Sequence, residues 1–154
     1  MAKNKMASWR EGDFVLVPLG DSRNAFGRIL PDPLMAFYDL NDVRVPGLPI
    51  IAACQILFRV WIRKFAITDG LWPVIGNQPL ELGLTTLPTF FKKDPISKNL
   101  NFYQDGKDGR SCTSEECAGL ERAAVWDPNH IIDRLRDHFD GKPNKWAESL
   151  KVNK

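Results

Sequence analysis

The residues of this chain with the widest chemical reach are three cysteines, Cys54, Cys112 and Cys117, and two histidines, His130 and His138. A thiol beside an imidazole is the core of one kind of nucleophilic catalysis, provided a third group orients the base. Both histidines fall on one predicted helix, eight residues apart, within about 80° of each other around its axis. Nothing in the spacing brings a cysteine to them. A zinc site would need Cys112, Cys117 and both histidines at a spacing foreign to structural zinc motifs. We read the cysteines as free thiols and His138 as a cation near a helix C-terminus, where the dipole favours it. No Gly-x-Ser-x-Gly elbow or phosphate-binding loop occurs. The reading is therefore of a chain with no catalytic residues, no metal and no cofactor.

Two further constellations suit binding. Asp32, Asp39 and Asp42 gather around the end of a predicted third strand. Paired carboxylates can serve glycoside chemistry, but aspartates at such positions more commonly close turns and cap elements. The same three would form an acidic patch for a basic partner. Arg59, Trp61 and Arg63 alternate on one face of another strand. Such a face can stack bases and grip phosphates, or it can pack against a neighbouring element with arginine stems over the ring. With 21 basic and 19 acidic residues the net charge is only +2, which favours packing over a nucleic-acid module. Asp133 and Asp137, beside Arg134 and Arg136, read as ion pairs within one solvated helix face.

These groups need elements to hold them. Residues 14–19 and 25–30 read as a β-hairpin around a turn at residues 20–24, and residues 34–40 as a third strand. Residues 50–54 suit a helical turn. Residues 56–67 show the clearest period-2 pattern, with Ile56, Phe58, Val60 and Ile62 on the dry face. Residues 71–75 are expected to pair back, with Pro73 marking an edge or a bulge. Residues 76–88 carry four leucines and read as a covering loop. Residues 89–93 and 100–104 suit a second hairpin, followed by an exposed turn at residues 105–109. Further on, Thr113 to Glu116 is a capping-box pattern. Residues 122–126 form a short strand. Asp127-Pro128 opens a helix to residue 140 with Ile131, Ile132, Leu135 and Phe139 on its apolar face, and Gly141 and Pro143 stop it. A last helical turn over residues 146–150 docks Trp146.

Length and composition agree with this. The chain has 154 residues, 44% hydrophobic and 26% charged, an ordinary globular mix that argues against disorder. Eleven prolines and eleven glycines suit a turn-rich β protein. The expected fold is α+β, a mostly antiparallel, curled or barrel-like sheet with helices at the C-terminal end. One domain spans residues 9–150, with frayed ends at 1–8 and 151–154. The apolar stretches near residues 48–62 are too short and too charged to span a bilayer. No signal peptide is read at the N-terminus, and the odd cysteine count suits a reducing cytoplasm.

Several stretches resemble one known family, the immunity protein 26 family of bacterial polymorphic toxin systems. They are Gly12-Asp13-Phe14-Val15-Leu16-Val17-Pro18-Leu19-Gly20-Asp21, then Phe26-Gly27-Arg28-Ile29-Leu30 and Ala36-Phe37-Tyr38-Asp39. Phe58-Arg59-Val60-Trp61 and Trp72-Pro73-Val74-Ile75-Gly76 follow, with weaker similarity at residues 90–95 and 121–126. The resemblance covers most of residues 9–76 and implies a mainly β fold. It also implies a cytoplasmic protein that binds and blocks the C-terminal domain of a cognate toxin, with no catalytic residues to carry over; the net charge of +2 and the short apolar runs separately argue against nucleic-acid and membrane partners. Residues 80–88 and 105–111 do not fit the pattern and are expected to carry partner specificity. Oligomeric state is not legible.

Overall fold

A computed structural model describes residues 8–31 and 33–153. Its first sheet begins with three antiparallel strands, β1 (Asp13–Pro18), β2 (Asn24–Ile29) and β3 (Leu34–Asp42). A short helix α1 (Leu48–Ala52) leads to β4 (Ile56–Ile62), which returns along β3. Helix α2 (Phe65–Thr68) follows, then β5 (Val74–Asn77). The second sheet is a meander of β6 (Phe90–Lys93), β7 (Leu100–Gln104) and β8 (Lys107–Ser111). Helix α3 (Ser114–Cys117), β9 (Val125–Trp126), α4 (Pro128–Phe139) and α5 (Lys145–Ser149) complete the chain.

The larger sheet has the order β5-β1-β2-β3-β4-β9. All its pairings are antiparallel except the last, where β9 runs parallel to β4. Register shifts interrupt β1, β2 and β3, and such bulges bend strands. The sheet curls as expected, but it stays open, with β5 and β9 as its edges, and is not a barrel. Both faces are buried. On one, Val15, Ile29, Phe37, Phe58 and Val60 meet Ile67 of α2 and Ile131 and Leu135 of α4. On the other, Phe14, Phe26 and Tyr38 meet Ile51 of α1, and Leu34 and Ala36 meet Leu84 and Phe90. Burial on both sides explains why β2 shows no alternation. Gly27 sits mid-strand, where an added Cβ would lie 3.1 Å from Met35 Cε and 3.2 Å from Val15 Cγ2.

Four expectations are corrected. The strand predicted over residues 56–67 ends at Ile62, and the chain coils into α2, burying the adjacent Ala66 and Ile67. Residues after Leu71 do not pair with β4. Trp72 is drawn into the core, and β5 runs along β1, with Pro73 offering its carbonyl to the Leu16 amide at 2.9 Å. The turn expected at residues 105–109 is confined to Asp105 (φ +53) and Gly106 (φ +76), two consecutive left-handed residues that suit a tight hairpin, and β8 follows at once. Finally, α4 does not pair its charges within itself. Arg134 reaches Glu121 at 2.6 Å, and Arg136 lies 3.9 Å from Asp21. Asp133 accepts from Trp146 Nε1, and Asp137 from the Asn144 side chain.

The other C-terminal signals fall where expected. Thr113 and Glu116 form a reciprocal capping box, Asp127 caps α4 through the Asn129 amide, and Gly141 takes φ +69 beyond the helix. Among the described residues no helix is long and apolar enough to cross a membrane.

Candidate functional site

Of the acidic residues singled out around β3, Asp39 and Asp42 lie in its C-terminal part, toward one end of the larger sheet. Asp39 is exposed, and its Oδ1 is 3.0 Å from Nε2 of His138 near the C-terminus of α4. Asp42 pairs in register with Asn24, and its carboxylate accepts from the Arg44 amide at 3.0 Å, closing a local turn. Asp32 lies outside the described residues. The same end carries charges that sequence spacing did not connect. Arg23, in the β1–β2 turn, binds Asp21 at 2.6 Å and reaches Asp140, past the end of α4, at 3.0 Å. The Arg23 guanidinium bonded to it holds the Asp21 carboxyl below its ordinary pKa, and the two carboxylates raise that of Arg23. An open polar cleft of about 420 Å³ adjoins this end, lined by Asp133, Arg136, Asp137, Asp140 and Lys142 among others. Its carboxylates alternate with cations, so the patch is a mixed-charge surface rather than a purely acidic one.

Arg59 and Trp61 share one face of β4, and that face is covered; Arg63 falls just past the end of the strand. The Trp61 ring lies 4.8 Å from that of Phe90 and 5.4 Å from that of Tyr103, both on the second sheet. Arg59 extends along residues 83–86, with Nη1 3.4 Å from the Thr86 carbonyl, and partial burial lowers its pKa. Arg63 is exposed, and its amide donates to the Trp126 carbonyl, joining β9 to the sheet. The alternation serves to seat the smaller sheet on the larger.

The histidines and cysteines do not meet in the contacts described. The His130 ring stacks on Trp146 with centroids 3.6 Å apart, and His138 faces Asp39. Cys54 turns its sulfur to the Ile50 carbonyl, while Cys112 and Cys117 lie beside each other. Among the described residues no group of three or more histidine, cysteine, aspartate or glutamate side chains is arranged to hold a metal ion.

Sequence reasoning missed the buried cation at the centre of the fold. Arg28 of β2 is fully buried. Its Nε donates to the Gly12 carbonyl at 2.8 Å, and Nη2 donates to the carbonyls of Gln78 and Pro79. Nη1 reaches Glu81 at 3.1 Å and the Tyr38 hydroxyl at 3.3 Å, and the guanidinium lies 4.0 Å from the centre of the Phe14 ring. Gly12 takes φ +88, where a side chain would collide with the Gln78 carbonyl. Arg28 thus ties the covering loop to the sheet. The signal was a lone arginine between Gly27 and Ile29 in an apolar strand, with one glutamate in the leucine-rich loop. That loop is folded in place. Leu84 is buried within a single 3₁₀ turn, Leu82–Leu84, and Leu80 and Leu87 pack beside it.

Comparison with known proteins agrees with the resemblance seen in the strands. The family model described as Immunity protein 26 matches residues 10–101. The match includes the loop at residues 80–88, which had not fitted the pattern, and ends before residues 105–111. No curated protein and no solved structure matches the chain. A match over more than half of the chain establishes that it belongs to the immunity protein 26 family.

Proposed function

We propose that this chain protects its host cell by binding the C-terminal domain of a cognate toxin from a polymorphic toxin system, without chemistry of its own. Membership of an immunity-protein family is the observation that carries this reading. Neutralisation by binding takes place where the toxin acts, and we place it in the cytoplasm.

We propose the mixed-charge end as the toxin-facing surface, with Asp39 and Asp42 as its acidic contacts, and we keep Asp32, outside the described residues, as a third candidate contact. Asp39 stands exposed at the end of the sheet where Arg23 meets Asp140, and charge patterns of this kind set partner choice and association rate. The test is co-expression with the toxin domain encoded beside this chain. Reversal of all three aspartates to lysine should lower survival and weaken the isolated complex at least about tenfold. Asp39→Asn, which removes the charge facing His138 with little change of shape, should weaken it less. Protection and affinity unchanged in the triple variant would remove these residues from the interface.

A further inference from the structure

The sulfurs of Cys112 and Cys117 are 2.7 Å apart, about 0.7 Å more than a covalent disulfide bond. Cys112 directly follows β8, and its amide still donates to the Leu100 carbonyl of β7. Cys117 is the last residue of α3 and is fully buried against Phe91 and Val152. The turn between them is held on its own account. Thr113 and Glu116 cap each other's backbone, and Arg110 grips Glu116 at 2.6 Å. Neither thiol depends on flexible chain to find the other. Cys54, bonded to the Ile50 carbonyl on a different element, serves as an internal control.

We propose that Cys112 and Cys117 are a reversible redox pair that closes to a disulfide on reaction with a small soluble disulfide such as oxidised glutathione. Cys112 is partly exposed and Cys117 is not, which sets the order of events. The Cys112 thiolate attacks one sulfur of the small disulfide, forming a mixed disulfide and expelling one small thiolate. The Cys117 sulfur, after losing its proton, attacks Cys112 Sγ and expels the second. The two cysteines lose two electrons and two protons, and the small disulfide becomes two small thiols. Burial first, and the neighbouring Cys112 thiol second, push the Cys117 pKa up to about 12, so the buried sulfur is the resolving partner and not the attacker. Closure fastens α3 to the end of β8, beyond residue 101 where the family match ends. The inference does not depend on the toxin reading.

The experiment equilibrates the reduced full-length chain in mixtures of reduced and oxidised glutathione, quenches with acid, and alkylates the remaining thiols under denaturing conditions. Mass spectrometry should show a closed species with one alkylatable thiol, no glutathione adduct, and a peptide linking Cys112 to Cys117. Half-closure should need at least about tenfold less oxidised glutathione in the folded chain than in concentrated urea, because the fold raises the effective thiol concentration. Cys54→Ser should leave the closure curve unchanged, and Cys112→Ser, at the less buried position, should abolish it. Amide exchange over residues 113–120 should slow on closure. Closure no easier in the folded chain than in urea, a persistent glutathione adduct at Cys112, or pairing through Cys54 would each overturn the proposal.

Discussion

The two sheets of this protein are held by different means. The larger one is buried on both faces and organised around Arg28, whose guanidinium binds three backbone carbonyls, a carboxylate and a hydroxyl. The smaller one exposes every residue of its outer strand, β8. Its own cluster buries Phe91 with Cys117 and Val152, and cations of its own strands lie over its rings, Lys92 on Tyr103 and Arg110 on Phe102. The difference teaches where this chain is constrained. The larger sheet lies mostly inside the family match, and a change there meets packed neighbours on both sides. The smaller sheet runs past the end of the match and rests on local charges and on the seating of Phe90 and Tyr103 against the larger sheet.

The sharpest break of this contrast is Arg28→Met. It leaves buried carbonyls without donors and should cost about 3–5 kcal/mol in a urea titration. A loss below about 1 kcal/mol would mean that Arg28 does not organise the larger sheet. Glu81→Gln should cost under about 1 kcal/mol, because that carboxylate is half exposed and solvent screens it. Next comes Trp61→Ala, which removes the ring that meets Phe90 and Tyr103 between the sheets. It should cost about 2–3 kcal/mol and raise amide exchange in β6–β8 far more than in β1–β3. Equal loosening of both sheets would show that they do not behave as separable regions.

Smaller effects belong to α3. Thr113→Ala should cost about 1 kcal/mol, felt at α3 and β8 only. Acid should act at the same place. Arg110 first, and the Thr113 amide second, hold the Glu116 pKa at about 2, against 4.5 ordinarily. A carboxylate depressed in the folded state contributes stability above its unfolded pKa and loses it as pH falls through the folded one. Protection of the α3 amides, corrected for the intrinsic pH dependence of exchange, should therefore fall as pH drops from about 4.5 to about 2, and Glu116→Gln should flatten that dependence. A profile unchanged by the substitution would mean that the cap does not govern this turn.

Local signals carried most of the fold. Period-2 alternation located the dry face of β4, and the Thr113 box and the Asp127-Pro128 start placed α3 and α4. Asp105-Gly106 was visible as a turn, but a strand of five exposed polar residues has no apolar pattern to announce it, and β8 was missed. The partner of β5 was hidden because pairing with β1 joins segments about sixty residues apart, and only burial of Trp72 directs the chain there. The candidate site was less legible. Asp39 and Asp42 could be named, but not the His138, Arg23 and Asp140 side chains around them, which come from a distant turn and helix. Arg28 was overlooked because a buried cation reads from sequence as a surface one until its partners are known.

The central claim is action by binding and not by turnover. It is tested by titrating the purified toxin domain with this chain while following the toxin's own activity. The account predicts activity falling in proportion to added chain, reaching zero at a fixed stoichiometry, with both proteins recovered at unchanged mass and the toxin active again after separation. Loss of toxin activity at a small fraction of that ratio, or a toxin permanently altered after the chain is removed, would contradict it.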